Sequence, residues 1–246
     1  MDTLGSSPRH PRRSLLRVLA DLHCHTAASF DSRSRPEAVV DAAIRRGLGV
    51  LAITDHDGLD GAFKGRDAAA ARAVATGEDQ EPGASLEVIV GEEIRSTEGD
   101  LIGLFLAQAI PSGMAAEATI EAIHDQGGLV GLPHPFDRHR GTALALILGQ
   151  KRLAELAPSL DYVETFNARV SDARDNARSA QLARRYDLPG VSVSDAHTLL
   201  EIGMAATPIG QRIGTAEDLR RLLRDLRVSR PARMMRAHAR ERGATA

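Results

Sequence analysis

The sequence predicts an α/β fold in which largely parallel strands are covered by helices, and three observations carry that prediction. Short apolar runs alternate with longer amphipathic segments along the 246 residues, which is the pattern of repeated βα units. Small clusters of His, Asp and Glu follow one apolar run after another, where ligands sit at the carboxyl ends of strands in barrels and open sheets alike. No linker or internal repeat divides the chain, and its length suits one domain with a substantial core. The pattern alone leaves closed barrel and open sheet both standing.

The elements follow in order. Residues 18–22 read as a strand that delivers His23, Cys24 and His25. A helix follows over 35–46: Pro36 suits its first turn, Val39, Val40, Ala43 and Ile44 share a face, and Gly47 and Gly49 end it. Residues 50–54 are a strand, 55–60 a polar loop, and the Ala-rich 61–75 a helix. After a polar loop over 76–85, a strand over 86–90 ends in Gly91, Glu92 and Glu93, and at least one of these acids is expected to be exposed. A strand over 101–106 follows through Glu98 and Gly99, the one β–β step in the order. A helix over 115–126 stops at Gly127 and Gly128, and a strand over 129–132 ends in Pro133, His134 and Pro135. Residues 143–156 read as mostly helical, 162–165 as a strand containing Glu164, 172–186 as a helix, 190–194 as a strand leading to Asp195, and 215–226 as a last helix. Residues 1–16 are expected to be a disordered basic leader and 227–246 an Arg-rich tail around a domain spanning 17–226.

Composition excludes several classes. The net charge of −2 gives no global basic field for nucleic acid or an acidic membrane. Two Tyr, five Phe and no Trp are few for a protein that binds single strands by stacking bases. Cys24 stands alone, so no internal disulfide can form, and a cytoplasmic location fits. No apolar stretch approaches a membrane span, and the basic leader lacks the apolar core of a secretory signal.

The chemistry lies in five separated clusters. On an extended strand Asp21, His23 and His25 share one side, so two imidazoles can converge on one ion, while Cys24 points to the other face and the core. His56, in Thr54-Asp55-His56-Asp57, is the chief candidate ligand of the second cluster; Asp55 could orient an imidazole, and Asp57 could do so or cap the following loop. In Gly91-Glu92-Glu93 one carboxylate could bridge two cations. Two prolines hold the backbone around His134. Asp195 and His197 form another alternate pair. His10, His124, His139 and His238 read as surface residues. A set of imidazoles and carboxylates without thiolates favours zinc, manganese or iron(II), and this many candidates suit two or three ions. Such clusters suit phosphoester hydrolysis. No Ser-nucleophile motif or nucleotide-binding loop competes with that chemistry.

The motifs DLHCHT, TDHD, GEE, PHPF and SDAH, in that order over residues 18–209, resemble the PHP family, the polymerase and histidinol phosphatase domain. The resemblance implies a distorted seven-stranded (β/α) barrel, (β/α)7, forming a single domain with a trinuclear site. His23 and His25 would bind a first ion with Glu93 and Asp195. Glu93 would bridge to a second ion held by His134, and Asp31 and His56 would hold a third with His197. Glu93 takes the bridging place over Glu92 because the family pattern is Gly, any residue, Glu. Where many relatives carry a His before the next strand, this chain has Asp100, which would either replace it as a ligand or leave the second ion weaker or bound with more water. Arg138, Arg140 and Arg169 are candidates for phosphate contacts, and Glu164 for orienting a ligand.

The expected activity is hydrolysis of a phosphomonoester of a small molecule or nucleotide by a metal-bound hydroxide, with His56, Asp195 and His197 as catalytic groups. A phosphodiesterase or 5′-3′ exonuclease acting on a short oligonucleotide is the second reading, and a non-catalytic metal-dependent binding module the third. An amidohydrolase with a carboxylated lysine is disfavoured because Lys64 and Lys151 fall in predicted helices.

Overall fold

A computed structural model describes residues 18–76 and 85–226. The expected leader and tail, and most of the loop over 76–85, lie outside the described residues. The order is β1 (Leu19–Asp21), α1 (Pro36–Arg45), β2 (Val50–Ile53), α2 (Asp60–Thr76), β3 (Glu87–Ser96), β4 (Gly99–Leu104), α3 (Ala116–Asp125), β5 (Leu129–Leu132), α4 (Leu144–Ile147), α5 (Gly149–Leu156), β6 (Tyr162–Asn167), α6 (Ala173–Arg185), β7 (Gly190–Val193), β8 (Thr207–Pro208) and α7 (Ala216–Leu226). Among the described residues no helix is long and apolar enough to cross a membrane.

One curled sheet runs in the order β7-β6-β5-β4-β3-β2-β1-β8. Pairings β1–β2, β2–β3, β5–β6 and β6–β7 are parallel, whereas β4 runs antiparallel to both β3 and β5. The barrel nearly closes beyond the ends of β1 and β7. There Asp195 N donates to His23 O at 3.0 Å and His25 N to Ala196 O at 2.8 Å, with Cys24 bridged in parallel to Ala196. Asp21 draws the same seam together by accepting from Ser194 N at 2.9 Å and Gly203 N at 3.1 Å. The seven expected strands are present. The eighth, only two residues long, pairs antiparallel with β1 and was too short to leave a sequence signal.

Alternation along the strands makes two apolar layers. Val50, Ala52, Ile102, Leu104, Tyr162, Val191 and Val193 fill the lumen, which Leu219 and Leu223 of α7 cover. Leu51, Ile53, Leu101, Val130 and Val163 face outward against Val39, Val40, Ile120, Ile123, Leu153 and Leu182 of the surrounding helices. Each fully buried Leu, Ile or Val contributes about 1.5–3 kcal/mol.

Three expectations change. β3 does not end at Val90 but runs through both glutamates to Ser96 and returns as β4, because the β–β step is a true hairpin. Glu92 and Glu93 are consequently both buried, where one exposed acid was expected. The helix over 143–156 is divided at Gly149, whose positive φ of 67° breaks the ladder into α4 and α5.

Gly61 opens α2 against the first strand-end loop. A Cβ there would overlap Asp55 Oδ2 and Thr26 Oγ1, the two atoms joined in a 2.7 Å hydrogen bond. Gly61→Ala should therefore cost about 1–3 kcal/mol of stability through overpacking, whereas Gly58→Ala, into open space, should cost clearly less. Urea unfolding of the two variants checks this; equal midpoints would contradict it.

Candidate metal centre

Every cluster found in the sequence arrives at one end of the barrel. His23 and His25 extend from β1 and His56 from β2. Asp100 opens β4, whose antiparallel direction brings the strand's start to the end where the parallel strands finish. His134 follows β5, and Asp195 and His197 follow β7. Glu93 stands at the centre. Its Oε2 lies 3.2, 3.3 and 3.5 Å from Nε2 of His23, His25 and His56, and its Oε1 lies 2.9 Å from His134 Nε2. Ligand-type atoms lie within 4.8 Å of one another in four groups: His23, His25 and Glu93; His25, Asp31 and His56; His25, Asp195 and His197; and Glu93, Asp100 and His134. Asp31 Oδ2 lies 2.9 Å from His197 Nε2 and 3.4 Å from His56 Nε2.

Hydrogen bonds behind the cluster set which nitrogen faces it. His23 Nδ1 meets Glu164 Oε1 at 2.6 Å, which leaves Nε2 as the lone-pair nitrogen in the neutral ring. That lone pair looks at His25 Nε2, 3.0 Å away, and at Asp195 Oδ1, 3.6 Å away. His197 Nδ1 lies 2.9 Å from Asp195 O, which likewise turns the Nε2 lone pair toward Asp31. The buried atoms Asp195 Oδ1, Asp100 Oδ1, His25 Nδ1 and His134 Nδ1 have no hydrogen-bond partner. Acceptors crowded in a dry pocket favour an added positive charge, a proton or a cation, and the donor set suits divalent zinc, manganese or iron. The residues present therefore fit metal ions.

Several supporting residues carried little or no sequence signal. Glu164 Oε2 accepts from His134 N and from Asn167 Nδ2, each at 2.9 Å, and Asn167 Nδ2 also reaches Asp195 Oδ2 at 2.9 Å. Ser32 Oγ donates to His197 O at 2.9 Å, and Glu201 accepts from His197 N at 2.9 Å. Asp55, considered as an orienter of imidazole, instead accepts from Thr26 N and Thr26 Oγ1 and ties the first loop to β2. Asp57 is exposed and takes a positive φ of 54°. His134 and Asp195 also hold positive φ, 24° and 53°. Strained backbone of this kind collects at functional sites.

The electrostatics follow from carboxylates crowded away from water. Burial opposes charge on Glu93, yet His23 and the hydrogen bonds of His134, His23 and His25 hold its carboxyl well below the usual range. Asp195 is held low in the same way by His23, His25 and Arg140. Burial also opposes charge on His25, but Asp195 and Glu93 prevail and push it up to about 9. For His197, burial and the neighbouring His25 lower the imidazole. For Asp100, burial and Glu93 raise the carboxyl.

Beside the cluster lies an open cleft of about 310 Å³ lined by Asp31, Asp137, His139, Arg140, Arg169, Ser171 and His197. Arg140 pairs with Asp195 and, at 3.1 Å, with Asp137. Arg169 lies 3.4 Å from Glu201. Arg138 turns the other way, to Asp175 at 3.2 Å and Asp172 at 3.8 Å, and so stands apart from the other two candidate arginines.

The chain is similar to known proteins in sequence and in fold. The PHP domain model matches residues 21–127, and the PHP-associated model matches 173–228. An uncharacterized protein of Methanocaldococcus jannaschii is 38% identical over 159 residues, 61% of this chain and 81% of that one. An error-prone DNA polymerase of Cutibacterium acnes is 34% identical over 223 residues, which cover 77% of this chain but only 19% of the polymerase. A two-domain protein of Bacteroides vulgatus, containing a predicted PHP-like metal-dependent phosphoesterase, superposes with a TM-score of 0.66 at 17% identity over 91% of this chain and 68% of that one. At that identity the likeness is one of fold.

Two outcomes test the site. Glu164→Ala leaves His23, His134 and Asn167 without their shared buried partner and should cost about 3–5 kcal/mol in urea unfolding, with Glu164→Gln costing less; equal, small losses would contradict the network. The folded imidazole of His25 titrates at about 9 against an ordinary 6.5, so the metal-free fold holds a proton that the unfolded chain releases. Stability in EDTA should be greatest below about 6.5 and fall as pH rises toward about 9. Saturating Mn²⁺ should abolish that fall by replacing the proton. Thermal unfolding against pH reads both; a flat profile in EDTA would contradict the assignment.

Proposed function

The chain belongs to the PHP family, and from that premise we propose that it is a metal-dependent phosphoesterase that releases phosphate from a phosphomonoester of a small molecule or nucleotide. One observation supports this most: eight His and Asp side chains gather with Glu93 in overlapping ligand-type groups beside a cleft that holds Arg140 and Arg169. His23, His25, Glu93 and Asp195 would hold one cation, Glu93, Asp100 and His134 a second, and Asp31, His56 and His197 a third, drawn from manganese, zinc or iron. Divalent cations supply neutralisation of phosphate oxygens, a water acidic enough to be deprotonated near neutral pH, and stabilisation of the leaving oxygen.

The protein's own groups do the rest. Arg140 and Arg169 bind the phosphate oxygens at the cleft and orient the ester. Asp195 holds Arg140 in place through one oxygen and faces the two imidazoles of the first strand end through the other. His197 lines the cleft with Nε2 beside Asp31, so it serves as a ligand of the third cation or, where it is not bound there, as a group that passes a proton to the departing oxygen. His56 occupies the equivalent place on the other side of Asp31. A cytoplasmic location belongs to the same proposal, supported by the lone, buried Cys24.

A second reading, cleavage of a phosphodiester at the end of a short oligonucleotide, is supported by the openness of the cleft and the likeness to the polymerase segment. A panel of nucleoside monophosphates, bisphosphates, sugar phosphates and short oligonucleotides, run on protein loaded separately with Mn²⁺, Zn²⁺ and Fe²⁺, separates the readings. Phosphate release from monoesters is expected; shortening of the oligonucleotide alone would select the second reading, and a metal-replete protein inert on all would select a binding module. His25→Ala and Asp195→Asn should each lower activity by more than the roughly 10–100-fold typical of residues behind metal ligands, with loss of bound metal by elemental analysis and little change in circular dichroism. Full activity in either variant would overturn the site assignment.

A further inference from the structure

We infer that Phe30 is a stacking platform for a nucleobase, so that the phosphoester this site accepts is a nucleotide. The inference rests on the phosphoesterase reading above and narrows its substrate class. Phe30 is 77% exposed, in a chain with only five Phe, two Tyr and no Trp. It stands immediately before Asp31, at the mouth of the metal centre. One face of its ring is covered by the His56 imidazole, with centroids 4.9 Å apart and planes 25° from parallel. The other face is turned to solvent.

The ring is held there rather than left to wander. Ser29, buried beneath it, donates its hydroxyl to Asp31 Oδ1 at 2.8 Å and accepts from His56 N at 3.4 Å. Ser29 N closes the turn on Thr26 O at 2.9 Å. The same short turn therefore positions Asp31 against His56 and His197 and Phe30 on top of His56. With one face stacked on His56, the ring leaves a flat apolar surface exposed beside a highly charged pocket, and an aromatic ring can be sandwiched on it.

The size of the cleft points the same way. At about 310 Å³ it stands at the lower end of small-molecule sites, and its lining is polar, with Arg140 and Arg169 beside Asp31 and Asp137. A phosphate and its sugar suit that space and those arginines. An aromatic group attached to the sugar must lie outside it, over the rim, and Asp31 joins the cleft lining directly to Phe30. The sparse aromatics elsewhere argue against a long stacking track, so one base is recognised, either of a mononucleotide or of the terminal residue of an oligonucleotide.

The experiment compares full-length wild type with Phe30→Ala, Phe30→Leu and Phe30→Trp, with and without Mn²⁺. Calorimetric titration measures binding of adenosine 5′-monophosphate, ribose 5-phosphate and a 5′-phosphorylated trinucleotide, and phosphate release is followed in parallel. Wild type should prefer the nucleotide over ribose 5-phosphate. Phe30→Ala and Phe30→Leu should each shrink that preference roughly tenfold, and Phe30→Trp should keep or enlarge it. A preference seen only with the trinucleotide assigns the base to an oligonucleotide end. No preference in wild type, or a ratio unchanged in Phe30→Ala, overturns the inference. The binding ratio is read even if no phosphate is released, so failure of the phosphoesterase reading is scored separately from failure of the platform.

Discussion

The constraint on which the rest depends is a carboxylate placed in the dry end of a barrel. Glu93 has no access to solvent, and a charge so placed survives only when opposite charge or strong hydrogen bonds surround it. Four imidazoles from three strand ends supply the surroundings. Of these, His23 is aimed by Glu164, and His56 meets the loop that carries Asp31. Nε2 of His23 and His25 stand 3.0 Å apart over the same oxygen, a place that a proton or a cation can fill. The cluster's donor set is compatible with metal ions.

The topology makes this convergence attainable. A purely parallel barrel offers only the carboxyl ends of its strands to a site. Here the β3–β4 hairpin lets β3 carry Glu93 past the level of its neighbours, and it returns Asp100 to the same end from the start of β4. The seam between β1 and β7 is closed by the backbones of His23, His25 and Asp195, themselves proposed ligands, and by their near neighbours Asp21, Ser194 and Ala196. Closure of the barrel thus also sets the first strand end against Asp195, whose positive φ of 53° is held where that closure fixes the backbone.

Much of this was legible in the sequence, for identifiable reasons. The alternation of apolar runs and amphipathic segments located the seven strands and most of the helices, and each His that follows a strand was found because strand ends expose what they carry. The Glu92–Glu93 pair misled because a strand with two acids looks like its own end; only the pairing of β4 shows that the chain continues. Glu164 was visible as an acid within a strand, but its partners His23 and His134 N are 141 and 30 residues away in the chain, and no spacing rule links them. Asn167 and Glu201 left no signal at all, since a neutral amide at a strand end and an acid in a turn have ordinary solvent roles elsewhere. Arg138 and Arg140, two residues apart, were alike in the sequence, and only the fold sends one toward Asp195 and the other toward α6.

The most direct measurement is anomalous diffraction at the manganese edge from crystals grown with Mn²⁺. The account predicts peaks within coordinating distance of both Glu93 oxygens, one shared with His23 and His25 and one with His134 and Asp100, and a third peak among Asp31, His56 and His197. Manganese bound only elsewhere, or none touching Glu93 while the protein is active, would contradict it.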